Sequence, residues 1–238
     1  MQGQTLLARN QMPVPHSAQL LREVAALDDN TRSGLNWQMR TIYLHGFASG
    51  PSSKKAAFFR QRLPEMELPD LAEGDFEHLT ITGQLQLIER LAGGQPIALI
   101  GSSLGGYLAA LYASRHAEAE KLVLLAPAFG FARRWAEMED TTAWRRTGYK
   151  EVYHYGQGRM CRLSYQLMED ALRYEDFPSF TQPALVFHGT LDDVVPAKFS
   201  QEFAATHANA QLHLLNSDHE LLDALDEIWR RTEPFLLG

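Results

Sequence analysis

From Met39 onward the chain alternates short apolar runs with segments whose apolar residues recur every three to four positions. The runs are Thr41-Ile42-Tyr43-Leu44, Ile97-Ala98-Leu99-Ile100, Lys121-Leu122-Val123-Leu124-Leu125-Ala126-Pro127, Pro183-Ala184-Leu185-Val186-Phe187-His188-Gly189 and Gln211-Leu212-His213-Leu214-Leu215. Their length and their lack of strict alternation predict strands of a parallel sheet covered on both faces. Between them, Ala56, Ala57, Phe59, Arg60 and Leu63 mark one helical face, capped by Ser52 or Ser53 and stopped by Pro64. Leu85, Ile88 and Leu91 mark a second face over 82–91, ending at Gly93-Gly94, and Leu104, Tyr107, Leu108 and Leu111 a third. Further helices are expected over 197–206 and 220–232. Glu67 to Leu71 reads as a short edge strand, where Pro69 is tolerated because its missing N–H faces away from the ladder. Strands alternating with helices imply right-handed crossovers, and ligands in such sheets bind beyond the carboxyl ends of the strands.

Two stretches break this rhythm. Residues 1–38, with Pro13, Pro15 and one helical candidate from Ser17 to Leu27, read as a loosely ordered extension preceding a main domain over 39–238. Residues 127–180 carry Phe129, Phe131, Trp135, Trp144, Tyr149 and further aromatics, and read as a small cap inserted over the site. Within it, Gly156-Gln157-Gly158 is placed to turn a hairpin between 150–155 and 160–165. Most of the cap's aromatics are expected to pack against one another.

Composition narrows the function classes. A chain of 238 residues that is 45% hydrophobic can bury one sizeable core. A formal charge of −7 disfavours nucleic acid and anionic membranes as partners and leaves a small neutral or cationic substrate open. The single cysteine, Cys161, allows no intrachain disulfide. No apolar run approaches the ~20 residues of a membrane span, and the first residues lack the order of a secretory signal, so a cytoplasmic location is expected. Neither G-x-x-x-x-G-K-[ST] nor G-x-G-x-x-G occurs, and the histidines show no H-E-x-x-H spacing. A nucleotide-binding reading therefore lacks its second signal, and no metal is expected.

The chemistry centres on Gly101-Ser102-Ser103-Leu104-Gly105, a G-x-S-x-G pattern between a predicted strand and a predicted helix. Such a turn holds a serine hydroxyl clear of the sheet, which makes Ser103 the candidate nucleophile. A protonated hydroxyl is a poor nucleophile, so it needs a base in hydrogen-bond reach and a group to orient that base. Nucleophile-elbow arrangements supply them in the chain order Ser, acid, His. Here His188-Gly189-Thr190-Leu191-Asp192-Asp193-Val194-Val195-Pro196 follows one strand and Asn216-Ser217-Asp218-His219 follows the next. Asp192 is the expected acid, ahead of Asp193, and His219 the expected base. The oxyanion of an acyl-transfer intermediate needs backbone donors. The amide of Leu104, just after the nucleophile, is one; that of Phe47, in the loop after the first strand, is the other. His45 is expected to brace that loop rather than to move protons.

These residues resemble the α/β-hydrolase superfamily over about Arg40 to Phe235. The opening Arg40-Thr41-Ile42-Tyr43-Leu44-His45-Gly46-Phe47-Ala48-Ser49-Gly50-Pro51-Ser52-Ser53-Lys54 is similar to that of small bacterial esterases of the YqiA/YcfP type. The resemblance implies a mostly parallel central sheet with helices on both faces, and cofactor-free hydrolysis of a small-molecule carboxylic ester through an acyl-enzyme. Thioester or peptide cleavage by the same triad stays open, because a triad does not report its leaving group. A binding protein that keeps the fold without turnover is the rival from another class.

Overall fold

A computed structural model of the protein describes residues 39–138 and 141–238. The expectations for residues 1–38, including the helical candidate at 17–27, lie outside the described residues. Among the described residues five strands, β1 (Arg40–Leu44), β2 (Ile97–Ser102), β3 (Ala119–Leu125), β6 (Ala184–Gly189) and β7 (Ala210–Leu215), form one sheet in that order, with every neighbouring pair parallel. Strands β4 (Tyr149–His154) and β5 (Arg159–Ser164) form a separate antiparallel hairpin.

Alternate side chains of each sheet strand enter two different cores. Ile42, Leu44, Leu99, Leu122, Leu124 and Val186 face one. Tyr43, Ala98, Ile100, Val123, Leu185 and Phe187 face the other. Both sets are almost fully buried, which is why the strands read as unbroken apolar runs rather than alternating ones. Helices α2 (Ile81–Ala92), α3 (Leu104–Ala113) and α7 (Lys198–Thr206) cover the first face. Helices α1 (Lys54–Arg62) and α8 (Leu225–Leu237) cover the second. Each fully buried Leu, Ile or Phe contributes about 1.5–3 kcal/mol. All ten residues of α3 are buried, matching a helix that is apolar all round and central to the domain.

Several local readings are corrected. Helix α1 is capped by Ser53, whose hydroxyl accepts from the Ala56 amide, but Ala57 and Arg60 are exposed and Lys55 is buried instead. In α2 the inward residues are Ile81, Gln84, Leu87, Ile88 and Ala92, with Leu85 and Leu91 only half-buried. Gln84 can turn inward because its amide donates to the Thr80 carbonyl. The expected edge strand at 67–71 is a single parallel bridge, in which Glu67 exchanges hydrogen bonds with Tyr43 and Thr41. Pro69 has no N–H with which to carry the ladder further. Among the described residues strand β7 lies at one edge of the sheet, and it is only partly covered: Ala210, Leu212 and His213 are half-buried, and Leu214 is exposed. The last helix starts only at Leu225, after a short turn of 3₁₀ helix at Leu222–Ala224, and it runs past Thr232 with Pro234 in its final turn.

Between β3 and β6 lie α4 (Phe131–Met138), α5 (Thr141–Thr147), the β4–β5 hairpin and α6 (Gln166–Ala171). The hairpin has the expected strands and turn. Trp144 donates from Nε1 to the Leu163 carbonyl and packs on Trp135 and Tyr165. Asp170 ties this segment to α2 by accepting from the Thr82 amide and hydroxyl, both at 2.7 Å.

Candidate active site

Strand β2 ends at Ser102, and the chain turns into α3 through Ser103, whose backbone sits at φ 53°, ψ −116°. A non-glycine residue at positive φ is strained by about 1–3 kcal/mol, and it persists here because the surroundings fix it. The Ser103 amide donates to the Leu125 carbonyl, and the Ser103 carbonyl accepts from Ala128 and from the first turn of α3. The flanking glycines are dictated by space. A Cβ at Gly101 would lie 2.3 Å from the Gly105 carbonyl oxygen, and one at Gly105 would lie 2.1 Å from that of Leu44. Ser103 occupies the N-cap position of α3, yet its hydroxyl caps no amide. It is available to a partner outside the helix.

That partner is His219. Its Nε2 stands 3.0 Å from Ser103 Oγ, and its Nδ1 stands 2.8 Å from Asp192 Oδ2. The three expected residues come from three loops at the carboxyl ends of β2, β6 and β7 and meet in one chain of hydrogen bonds. Asp193 is exposed and has no part in it. Asp192 is buried and accepts from four donors. The amides of Val194 and Val195 bond its Oδ1, while His219 and a second histidine, His188, bond its Oδ2. Burial alone would push this carboxyl up. The hydrogen bonds from His188, His219 and Val195, with the charge of His219, outweigh burial and hold it well below the usual carboxylate range.

His188 was legible in the sequence only as a histidine without metal spacing. It is fully buried, with Nε2 at 2.7 Å from the Val195 carbonyl and 3.1 Å from Asp192 Oδ2, and with Nδ1 at 2.7 Å from Ser200 Oγ. Two acceptors at Nε2 place the proton there, and the Ser200 hydroxyl then donates to Nδ1. His45 bridges the Gly46 carbonyl and the Leu71 amide, and burial lowers its pKa, so it serves as a neutral brace for its loop. That loop lies directly on the serine: a Cβ at Gly46 would come within 3.3 Å of Ser103 Cβ. Among the described residues, neither the Phe47 nor the Leu104 amide donates to a backbone carbonyl. Both residues line a cavity of about 170 Å³ that opens on Ser103.

The cap supplies Ala128, Phe131, Arg134 and Trp135 to the same cavity. Trp135 meets Phe47 edge-on at 5.1 Å and Phe131 at 5.0 Å. The cap's aromatics thus divide, with Trp144 and Tyr165 packing inside it and Phe131 and Trp135 walling the site. Among the described residues no group of three or more His, Cys, Asp or Glu could hold a metal ion, and no helix is long and apolar enough to cross a membrane.

The model of a family described as "Uncharacterised protein family (UPF0227)" matches residues 40–235. The chain belongs to that family. The match covers the whole sheet, the cap and all three loops of the site. No curated protein matches the chain. Among solved structures it is similar to alpha/beta hydrolase domain-containing protein 10 from mouse, with a TM-score of 0.69, 18% identity, and 82% of this chain and 88% of that one covered. It is likewise similar to Est1E from Butyrivibrio proteoclasticus, solved with ferulic acid bound, with a TM-score of 0.68, 19% identity and coverage of 86% and 90%. A monoacylglycerol lipase of Paleococcus ferrophilus aligns with a TM-score of 0.58, 16% identity and coverage of 83% and 93%. The family member described here has the α/β-hydrolase fold.

Proposed function

We propose that this protein is a serine esterase that cleaves a small-molecule carboxylic ester through an acyl-enzyme. The observation that carries the proposal is the unbroken relay from Ser103 Oγ through His219 to Asp192, with steps of 3.0 and 2.8 Å, on a strained strand-to-helix turn. Asp192 accepts from Nδ1–H of His219 and so leaves Nε2 as the acceptor facing Ser103. His219 takes the hydroxyl proton as Ser103 Oγ attacks the ester carbonyl. The oxyanion is received by the amides of Phe47 and Leu104, each such donor being worth about 3 kcal/mol. His219 then returns the proton to the leaving alcohol, activates a water against the acyl-enzyme, and the acid departs.

The cavity favours short or ring-bearing acyl groups. Its volume of about 170 Å³ is close to that of a cavity known to take up benzene, about 150 Å³. Est1E, of the same fold, holds ferulic acid, itself a ring-bearing acid. Labelling with a fluorophosphonate, wild type beside Ser103→Ala, tests the reading, followed by p-nitrophenyl esters of graded chain length. Labelling that vanishes in the variant and a short-chain optimum are expected. A folded wild type that takes no label and turns over no ester would put the non-catalytic alternative in its place.

A further inference from the structure

Of the side chains that line the cavity, Arg134 alone is charged; the others are apolar apart from the Ser103 hydroxyl and the indole N–H of Trp135. Arg134 comes from the cap helix α4 and is only 8% exposed. A guanidinium carries five N–H donors in a fixed fork. Among the described residues its hydrogen bond runs from Nη2 to the Val194 carbonyl, and its plane sits 5.0 Å from the Phe199 ring. No carboxylate among the described residues lies within ion-pair distance of it, whereas its neighbour Arg133 is paired with Asp176 at 3.0 Å. Asp192 and the exposed Glu137 act on Arg134 only through space, and the oxygens of Asp192 are already held by four other donors. A buried cation on an apolar wall is costly unless something completes it.

We infer that the substrate ester itself carries a carboxylate, which the Arg134 guanidinium receives within the cavity that opens on Ser103. The inference rests on the serine-hydrolase reading and specifies its substrate class. It reverses the expectation from overall charge, because an acidic protein here presents a basic pocket wall. Arg134 is a specificity residue: it selects the substrate and takes no part in the proton transfers. The carboxylate can sit on the acyl or on the alcohol side of the ester, and the chemistry of recognition is the same.

The test compares kcat/KM for monomethyl succinate with that for methyl isocaproate, its neutral isostere. A second arm compares para-carboxybenzyl acetate with para-isopropylbenzyl acetate. The wild type is expected to prefer the carboxylate member of one pair, the first if the charge lies on the acyl side and the second if on the alcohol side. In Arg134→Met the ratio within that pair should fall about 10- to 100-fold, the range set by a charge-assisted hydrogen bond, and Arg134→Lys should fall between. A merely structural role, through the Val194 carbonyl, would lower both members together and leave the ratio unmoved. Binding is read separately in Ser103→Ala: monomethyl succinate or para-carboxybenzyl acetate should raise its Tm, and the rise should vanish in Ser103→Ala/Arg134→Met. This arm decides the inference even where no ester is turned over, a result that would remove the serine-hydrolase reading by itself. Equal ratios in wild type and Arg134→Met in both pairs, or equal Tm rises with and without Arg134, would overturn the inference.

Discussion

The carboxyl edge of the sheet and the cap meet at the same cavity, but they place their residues by different means. At the sheet edge, backbone does the placing. Ser103 is pinned by main-chain bonds to Leu125 and Ala128 and by glycines that leave no room for a Cβ, and Asp192 is held by the amides of Val194 and Val195. In the cap, ring packing does most of it: Trp135 is set by Phe47, Phe131 and Trp144, and the Arg134 guanidinium lies over Phe199 with one hydrogen bond to the Val194 carbonyl. Main-chain placement fixes atoms to within a hydrogen bond, as proton transfer requires. Aromatic packing can be exchanged residue by residue, and under the proposed function it would govern what enters.

Breaking the sheet side should therefore abolish chemistry. Ser103→Ala or His219→Ala is expected to lower kcat by about 10⁴- to 10⁶-fold with the fold intact by circular dichroism. Asp192→Asn should lower it about 10⁴-fold, because an amide in place of the acceptor favours the wrong tautomer of His219. Breaking the cap side should instead change selection. Trp135→Ala enlarges the cavity, so kcat/KM for a long-chain ester relative to a short one should rise about tenfold, the scale at which a pocket discriminates methylenes. A uniform loss across chain lengths would mean that Trp135 supports the loop of Phe47 rather than sizing the substrate.

The same contrast explains what could be read from the sequence. Ser103, Asp192 and His219 were legible because each follows an apolar strand run in a fixed order, and strand ends in a parallel sheet converge. Gly101 and Gly105 advertised the close approach of chain that the turn requires. Arg134 and His188 left no such trace. Arg134 lies in a helix whose orientation depends on tertiary packing, and His188 looks like one more residue of a buried strand. Gln84 and Lys55 misled for a related reason: each is a polar residue turned inward, one bonded to the Thr80 carbonyl and the other facing the His219 carbonyl and Glu220.

Smaller effects are expected from backbone strain and buried charge at the same loops. The positive φ of Ser103 means that Ser103→Gly should be more stable than Ser103→Ala by about 1 kcal/mol, measured by denaturant midpoint. Equal stabilities would mean that the elbow is unstrained. The depressed pKa of Asp192 also has a pH signature. A carboxyl lower in the folded than in the unfolded chain, where it is about 3.9, adds stability that is fully present above that value and is lost as pH falls through the folded one. The stability difference between wild type and Asp192→Asn should thus stay constant from about pH 8 to 5 and shrink only below about pH 4. Shrinkage already at neutral pH would show that the buried carboxylate is not stabilised by its four donors.

The proposed chemistry requires that Ser103 become acylated. Rapid-quench mass spectrometry of the protein mixed with p-nitrophenyl butyrate measures this directly. A butyryl adduct is expected on the peptide containing Ser103, formed within the burst of nitrophenol release and absent from Ser103→Ala. Ester turnover with no adduct on that peptide, or with an adduct that persists in Ser103→Ala, would contradict it.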